Sequence, residues 1–115
     1  MSKGYSYDFK GTRGDLIETI RNLPSKPNKA FLEEWTDITT PGTKAYDKNK
    51  LYINKRNGLK IHFDHSEPGA NGFKGKDHYH IRNPNGHNAK DMYLDKDGNP
   101  VAKGSPASHI LINKD

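Results

Sequence analysis

The 115-residue chain contains no cysteine. That excludes disulfide staples, thiolate zinc sites and thiol nucleophiles, and leaves the chain indifferent to the redox state of its surroundings. It has no apolar run near the roughly 20 residues that a membrane span needs, and its first residues lack the apolar region of a secretory signal. Hydrophobic residues make up only 30% of the chain, and mean hydropathy is −1.08. Acidic residues are also in deficit, because Lys and Arg exceed Asp and Glu by five. A basic surface favours a polyanionic partner, nucleic acid above all.

What is present argues for a folded chain. Six Tyr, four Phe and one Trp fall in periodic apolar stretches, enough for one modest core and too little for two. The order of those stretches predicts an α+β fold, with N-terminal helices packed on one face of a four- to five-stranded antiparallel sheet.

Residues 1–14 are polar, with Tyr5, Tyr7 and Phe9 alternating, and read as an extended lead-in. Asp15 starts a helix that carries Leu16, Ile17, Ile20 and Leu23 at helical spacing and stops at Pro24. Amides at a helix N-terminus attract anions, so Thr12 and Arg13 are candidate phosphate-binding residues. The plainer reading is a capped helix start with solvated charges. Residues 30–35 predict a second short helix with Phe31, Leu32 and Trp35 buried, and residues 36–46 read as loop.

The second half reads as strands at 51–54, 59–64, 77–82, 92–94 and 109–112. Asn57-Gly58 is a strong hairpin signal between the first two, and Asn83-Pro84-Asn85-Gly86 closes the third with turn chemistry. Side chains two apart on a strand share a face. Leu59, Ile61 and Phe63 therefore point inward and Lys60, His62 and Asp64 outward. Tyr79 and Ile81 likewise face the core, which leaves His78, His80 and Arg82 side by side on an open face, with His109 opposite Ile110 and Ile112. Four of the six histidines then project from one face.

That residue set suits metal-free cleavage of RNA. Internal transfer needs a base for the 2′-hydroxyl proton, an acid for the leaving 5′-oxygen, and cations for the phosphate charge. Histidine serves both proton roles near neutral pH. His78 and His80 are the acid–base candidates, with His62 beside them, and Arg82 and Lys60 the phosphate clamp. Lys76, Ser108 and His109 are further candidates. The plain alternative is a strand's solvated side. A rival use of the same residues is metal binding, since His-x-His on a strand is a reasonable ligand pair that Asp64, His65 or Asp77 would complete. Phe63-Asp64-His65, with Asn83 and His87, loosely resembles an HNH nuclease motif, although nothing in the sequence fixes the helix such a motif needs. A binding module without catalysis would offer exposed aromatics for stacking; Tyr52 and Tyr93 are the candidates.

From Phe63-Asp64 through Pro68-Gly69-Ala70-Asn71-Gly72-Phe73, Gly75-Lys76-Asp77-His78-Tyr79-His80 and Asn83-Pro84, the chain resembles the C-terminal toxin domains of bacterial polymorphic and contact-dependent toxins. The closing Gly98-Asn99-Pro100-Val101, Lys103-Gly104-Ser105 and Ser108-His109-Ile110 are similar to their tails. The resemblance covers roughly the last half of the chain. It implies that residues 1–115 are one nuclease domain excised from the C-terminus of a larger secreted protein, with the fold of the barnase, EndoU, colicin and RelE group. It also implies an activity: cutting RNA, often tRNA, in the cytoplasm of a competing cell, with no cofactor. The partner it implies is a cognate immunity protein, expected to be acidic and to cover the histidine face.

Overall fold

The computed structural model describes residues 9–41 and 49–112. The expected lead-in over residues 1–8 and part of the expected loop, residues 42–46, lie outside the described residues. Helix α1 (Arg13–Arg21) begins two residues before Asp15, because Thr12 is its cap: the Thr12 hydroxyl accepts from the Asp15 amide and the Asp15 carboxylate accepts from the Thr12 amide. This reciprocal pairing satisfies two of the amides that a helix start leaves without partners. Leu16 and Ile20 face inward, followed by Leu23.

Helix α2 (Lys29–Glu34) is capped by Asn28, whose side chain accepts from the Phe31 amide. Phe31 and Trp35 stack with ring centroids 5.2 Å apart. Leu32, expected to be buried, is 47% exposed. Residues four apart share a helix face whereas Leu32 is turned away from it.

Six strands form one antiparallel sheet in chain order: β1 (Trp35–Asp37), β2 (Asn49–Asn54), β3 (Lys60–Asp64), β4 (His78–Arg82), β5 (Tyr93–Leu94) and β6 (Pro100–Val101). The expectation of four to five strands is corrected upward. Trp35 leaves helix α2 to open a strand, and residues 36–37, expected as loop, pair with Ile53 and Tyr52. The predicted strand at 109–112 is instead a single bridge. After a 3₁₀ turn at Pro106–Ser108, Ile110 exchanges two 2.8 Å hydrogen bonds with Tyr79 and pairs no further.

The apolar faces of β2, β3 and β4 meet the helices in one core that joins Leu16, Ile20, Leu23, Phe31 and Trp35 to Tyr52, Ile61, Phe63, Tyr79, Ile81, Leu94 and Ile110. Tyr52, read as an exposed aromatic, belongs to this core. Its register partner is Ile61, and directly paired residues point to the same face. The buried Tyr79 hydroxyl donates to the Pro24 carbonyl, 2.9 Å away. The β2–β3 connection departs from the two-residue turn that Asn-Gly suggests: only Gly58 has a positive φ, at 79°, whereas that turn needs two such residues. Asn57 is buried instead, accepting from the Leu59 amide and donating to the Thr19 hydroxyl, which donates to the Asp15 carbonyl. The hairpin is thereby tied to α1. Among the described residues, no helix is long and apolar enough to cross a membrane.

Candidate active site

Alternation on β3 and β4 places His62 and Asp64 beside His80 and His78, and the register pairs them directly: His62 with His80, Asp64 with His78. Asp64 Oδ2 lies 3.2 Å from His78 Nε2 and 3.3 Å from His80 Nε2. One carboxylate oxygen therefore holds two imidazoles. The bridge between Tyr79 and Ile110 brings His109 to the same place from 30 residues downstream. Ring centroids are 4.9 Å apart for His78 and His80, 5.0 Å for His78 and His109, and 4.7 Å for His80 and His109.

The expected open face is partly roofed, which corrects the sequence reading. His78 is 5% exposed. The connector after β3 folds back over it through a 3₁₀ turn at Gly72–Gly75, laying Phe73 flat on His109 at 4.1 Å and edge-on to His78. Gly72 turns with φ 65°, and a Cβ on Gly75 would collide with the Ala70 carbonyl oxygen. On the other side of His80, Tyr93 from β5 lies 5.0 Å away. There a cleft of about 390 Å³ opens against Asn49, Leu51 and the Thr39–Thr40 segment, with His62, Asp64, His80 and Tyr93 along its wall.

Hydrogen bonding fixes the protons. His78 Nδ1 donates to the Lys76 carbonyl at 2.9 Å, and its Nε2 faces Asp64. Both neighbours are acceptors, an arrangement that favours the doubly protonated ring. Burial opposes that charge, but the hydrogen bonds to Asp64 and Lys76 outweigh it and raise the His78 pKa. Burial also works against the Asp64 carboxylate. The hydrogen bonds from His78 and His80 prevail and hold it well below the usual carboxylate range. His109 is the opposite case. Burial lowers its pKa, the Ser105 hydrogen bond resists, and the nearby His80 and His78 lower it further. Its Nδ1 donates to the Ser105 carbonyl at 2.9 Å, which leaves the Nε2 lone pair for chemistry. Burial, then the charge of Arg82, lower His62 to about 4. His62 Nε2 and His80 Nδ1 are buried without a hydrogen-bond partner among the described residues. Buried polar atoms of this kind are uncommon and tend to mark sites that bind something.

The sequence candidates divide. His62, His78, His80 and His109 are brought together, and strand alternation puts Arg82 and Lys60 on the same face toward the far end of β4 and β3. Ser108 is fully buried, with its hydroxyl donating to the Ser105 carbonyl. Its oxygen also lies 3.4 Å from His109 Nδ1. Lys76 is exposed, and its carbonyl orients His78. Thr12 is the α1 cap, and the Arg13 guanidinium reaches the Asp97 and Gly98 carbonyls and the Asn99 side chain, which ties the start of α1 to the turn before β6. Of the possible completing ligands, Asp77 instead caps the Ser66 amide, and His65 lies edge-on to Phe63. The HNH resemblance does not extend to structure. After β4, Asn83 closes a turn onto Asp91 and the His87 amide donates to Asp91, with no α-helix among the described residues that follow.

No protein family, curated protein or solved structure matches the chain. The chemistry of the cluster has to speak for itself. Two residues central to it, Asp64 and Phe73, were absent from the candidate catalytic set. For Asp64 the signal was present: it alternates with His62 on a strand whose neighbour reads His-x-His.

Proposed function

We propose that the chain is a ribonuclease that cleaves RNA by internal transfer at the cluster of His78, His80 and His109. The observation that carries this reading is the convergence of three imidazoles at one carboxylate. Asp64 Oδ2 holds His78 and His80, while His109, with Nδ1 spent on the Ser105 carbonyl, presents its Nε2 lone pair beside them. Histidines side by side in unlike hydrogen-bonding environments supply the two proton roles that internal transfer needs.

In this mechanism His109 Nε2 takes the proton of the 2′-hydroxyl, the 2′-oxygen forms a bond to phosphorus, and the bond from phosphorus to the 5′-oxygen breaks. His80, the more exposed of the two imidazoles on Asp64, protonates the departing oxygen. The products are a 2′,3′-cyclic phosphate and a 5′-hydroxyl. His78 is a positioning residue, since its paired charge fixes Asp64 and through it His80. Arg82 and Lys60 favour the phosphate charge from the far end of the strands. The cleft beside Tyr93 offers an aromatic wall for a base.

The resemblance to polymorphic toxin domains extends this to a biological role: a toxin delivered from the cell surface of its producer or secreted by it, acting on RNA, with tRNA the favoured class, in the cytoplasm of a competitor. The net charge of +5 fits an acidic immunity protein over the histidine face. A complex that left that face open would count against the partner.

The test is incubation of total cellular RNA with the purified chain in EDTA, beside His80→Ala. Cleavage that survives EDTA, ends in cyclic phosphate and vanishes in the variant supports the reading. Cleavage only with added metal, or cleavage unchanged in the variant, overturns it.

A further inference from the structure

We infer that His78, His80 and His109 also form a transition-metal site of the zinc class, and that an ion held there switches the nuclease off. The binding stands on geometry alone; the inhibition rests on the cleavage reading above.

One ring nitrogen from each of the three histidines lies within 4.8 Å of those of the other two. A tetrahedral zinc ion with bonds of about 2.0–2.1 Å spaces its nitrogens by about 3.4 Å, so the cluster needs only a modest contraction. His109 is the ring best placed to supply it, because it sits on an irregular segment beyond the 3₁₀ turn and not within the ladder. Two of the three rings have a nitrogen to give outright. His109 spends Nδ1 on the Ser105 carbonyl, which frees Nε2. His80 keeps Nε2 on Asp64 while Nδ1 is buried, with no hydrogen-bond partner among the described residues. His78 is held through Nδ1 by the Lys76 carbonyl, and its Nε2 reaches the ion by giving up its proton and its contact with Asp64.

The surroundings match what such sites use. Backbone carbonyls and a carboxylate behind the ligating rings fix ring orientation and strengthen the donors, and here Lys76, Ser105 and Asp64 do so. Imidazole donors without thiolates select zinc, copper or nickel over magnesium or calcium. An ion in this position takes the lone pair that His109 needs as a base and engages His80, the proton donor. Filling the site and cleaving RNA are then mutually exclusive.

The experiment titrates Zn²⁺ into the metal-stripped full chain by calorimetry and thermal melting, with RNA cleavage followed in the same buffers. One ion per chain is expected, with the melting temperature rising by roughly 10 °C at a hundredfold excess over Kd. His109→Gln and His80→Gln should weaken binding about 100-fold or more, Asp64→Asn by about 10–100-fold, and His65→Gln, outside the cluster, not at all. Circular dichroism identifies any variant that fails to fold, and Co²⁺ absorption reports tetrahedral ligation in the unaltered chain. Cleavage should fall in proportion to occupancy and return with EDTA. Binding that is absent, or equal in His109→Gln and the unaltered chain, overturns the site while leaving cleavage in EDTA as a separate result. Binding that accelerates cleavage overturns the inhibition and the metal-free mechanism together. Binding with no cleavage under any condition keeps the site and removes the switch.

Discussion

Two groups of polar side chains are buried in this fold, and they are treated in opposite ways. At the β2–β3 turn, Thr19, Asn54 and Asn57 form a closed set. The Asn54 side chain accepts from the Arg56 and Asn57 amides, Asn57 accepts from Leu59 and donates to Thr19, and Thr19 donates onward to Asp15. On the far face of the sheet the histidines are crowded ring on ring, with His62 Nε2 and His80 Nδ1 unpartnered among the described residues. Satisfied polarity specifies a fold; unsatisfied polarity stores capacity for a ligand or a reaction. The contrast teaches where to look for function when no relative supplies it.

Substitutions should separate the two groups. The largest effect is expected from His109→Ala, which removes the proposed base and should slow cleavage of an RNA oligonucleotide by about 10²–10⁴-fold in single-turnover assays, with a stability cost of only about 1 kcal/mol from its lost stack on Phe73. If stability fell and activity per folded molecule held, the cluster would be structural after all. Asn57→Ala should do the reverse. It strands the Leu59 amide, costing roughly 2–3 kcal/mol and roughly 10 °C of melting temperature, with the cleavage rate of the folded fraction unaltered.

Acid should sharpen the distinction further. The folded His62 pKa is about 4, below its ordinary 6.5. The unfolded chain therefore takes up that proton first, and stability falls as pH drops from 6.5 to 4. The loss assignable to His62 is about 2–3 kcal/mol, seen as the difference in acid sensitivity between the unaltered chain and His62→Leu. The Asn57→Ala deficit, with no titrating group behind it, should be the same at both ends of that range. The smallest effect expected is that of Phe73→Ala, which strips the stacked ring from His109. It should cost about 1 kcal/mol of stability and a loss of cleavage well short of that in His109→Ala. A variant as inactive as His109→Ala would make Phe73 a direct partner of the substrate.

The reach of sequence reading follows from the range of the physics involved. Period-two alternation is local, so the inward set Ile61, Phe63, Tyr79 and Ile81 and the outward set His62, Asp64, His78 and His80 were all readable. Register is not local. That Asp64 faces His78, and that Tyr52 joins the core by pairing with Ile61, depends on how the intervening loops close. Strands as short as Trp35–Asp37, Tyr93–Leu94 and Pro100–Val101 carry too few residues to display a period. The burial of His78 was least legible, since its roof comes from Phe73 in a connector that reads only as turns. Arg13 shows the same limit, because its contacts with Asp97, Gly98 and Asn99 lie more than 80 residues away.

The bridge between Tyr79 and Ile110 has a consequence for how the molecule breathes. β3 and β4 share four register pairs, whereas His109 is held to β4 through one bridged neighbour. Segments with so few backbone bonds open at lower free energy than the ladders beside them. Amide exchange at Ile110 should therefore run ahead of that at Ile81, and each opening would carry the third imidazole away while the Asp64 pair stays in place. The chain would thus pass in and out of competence by local unfolding of its last segment, with the sheet itself undisturbed.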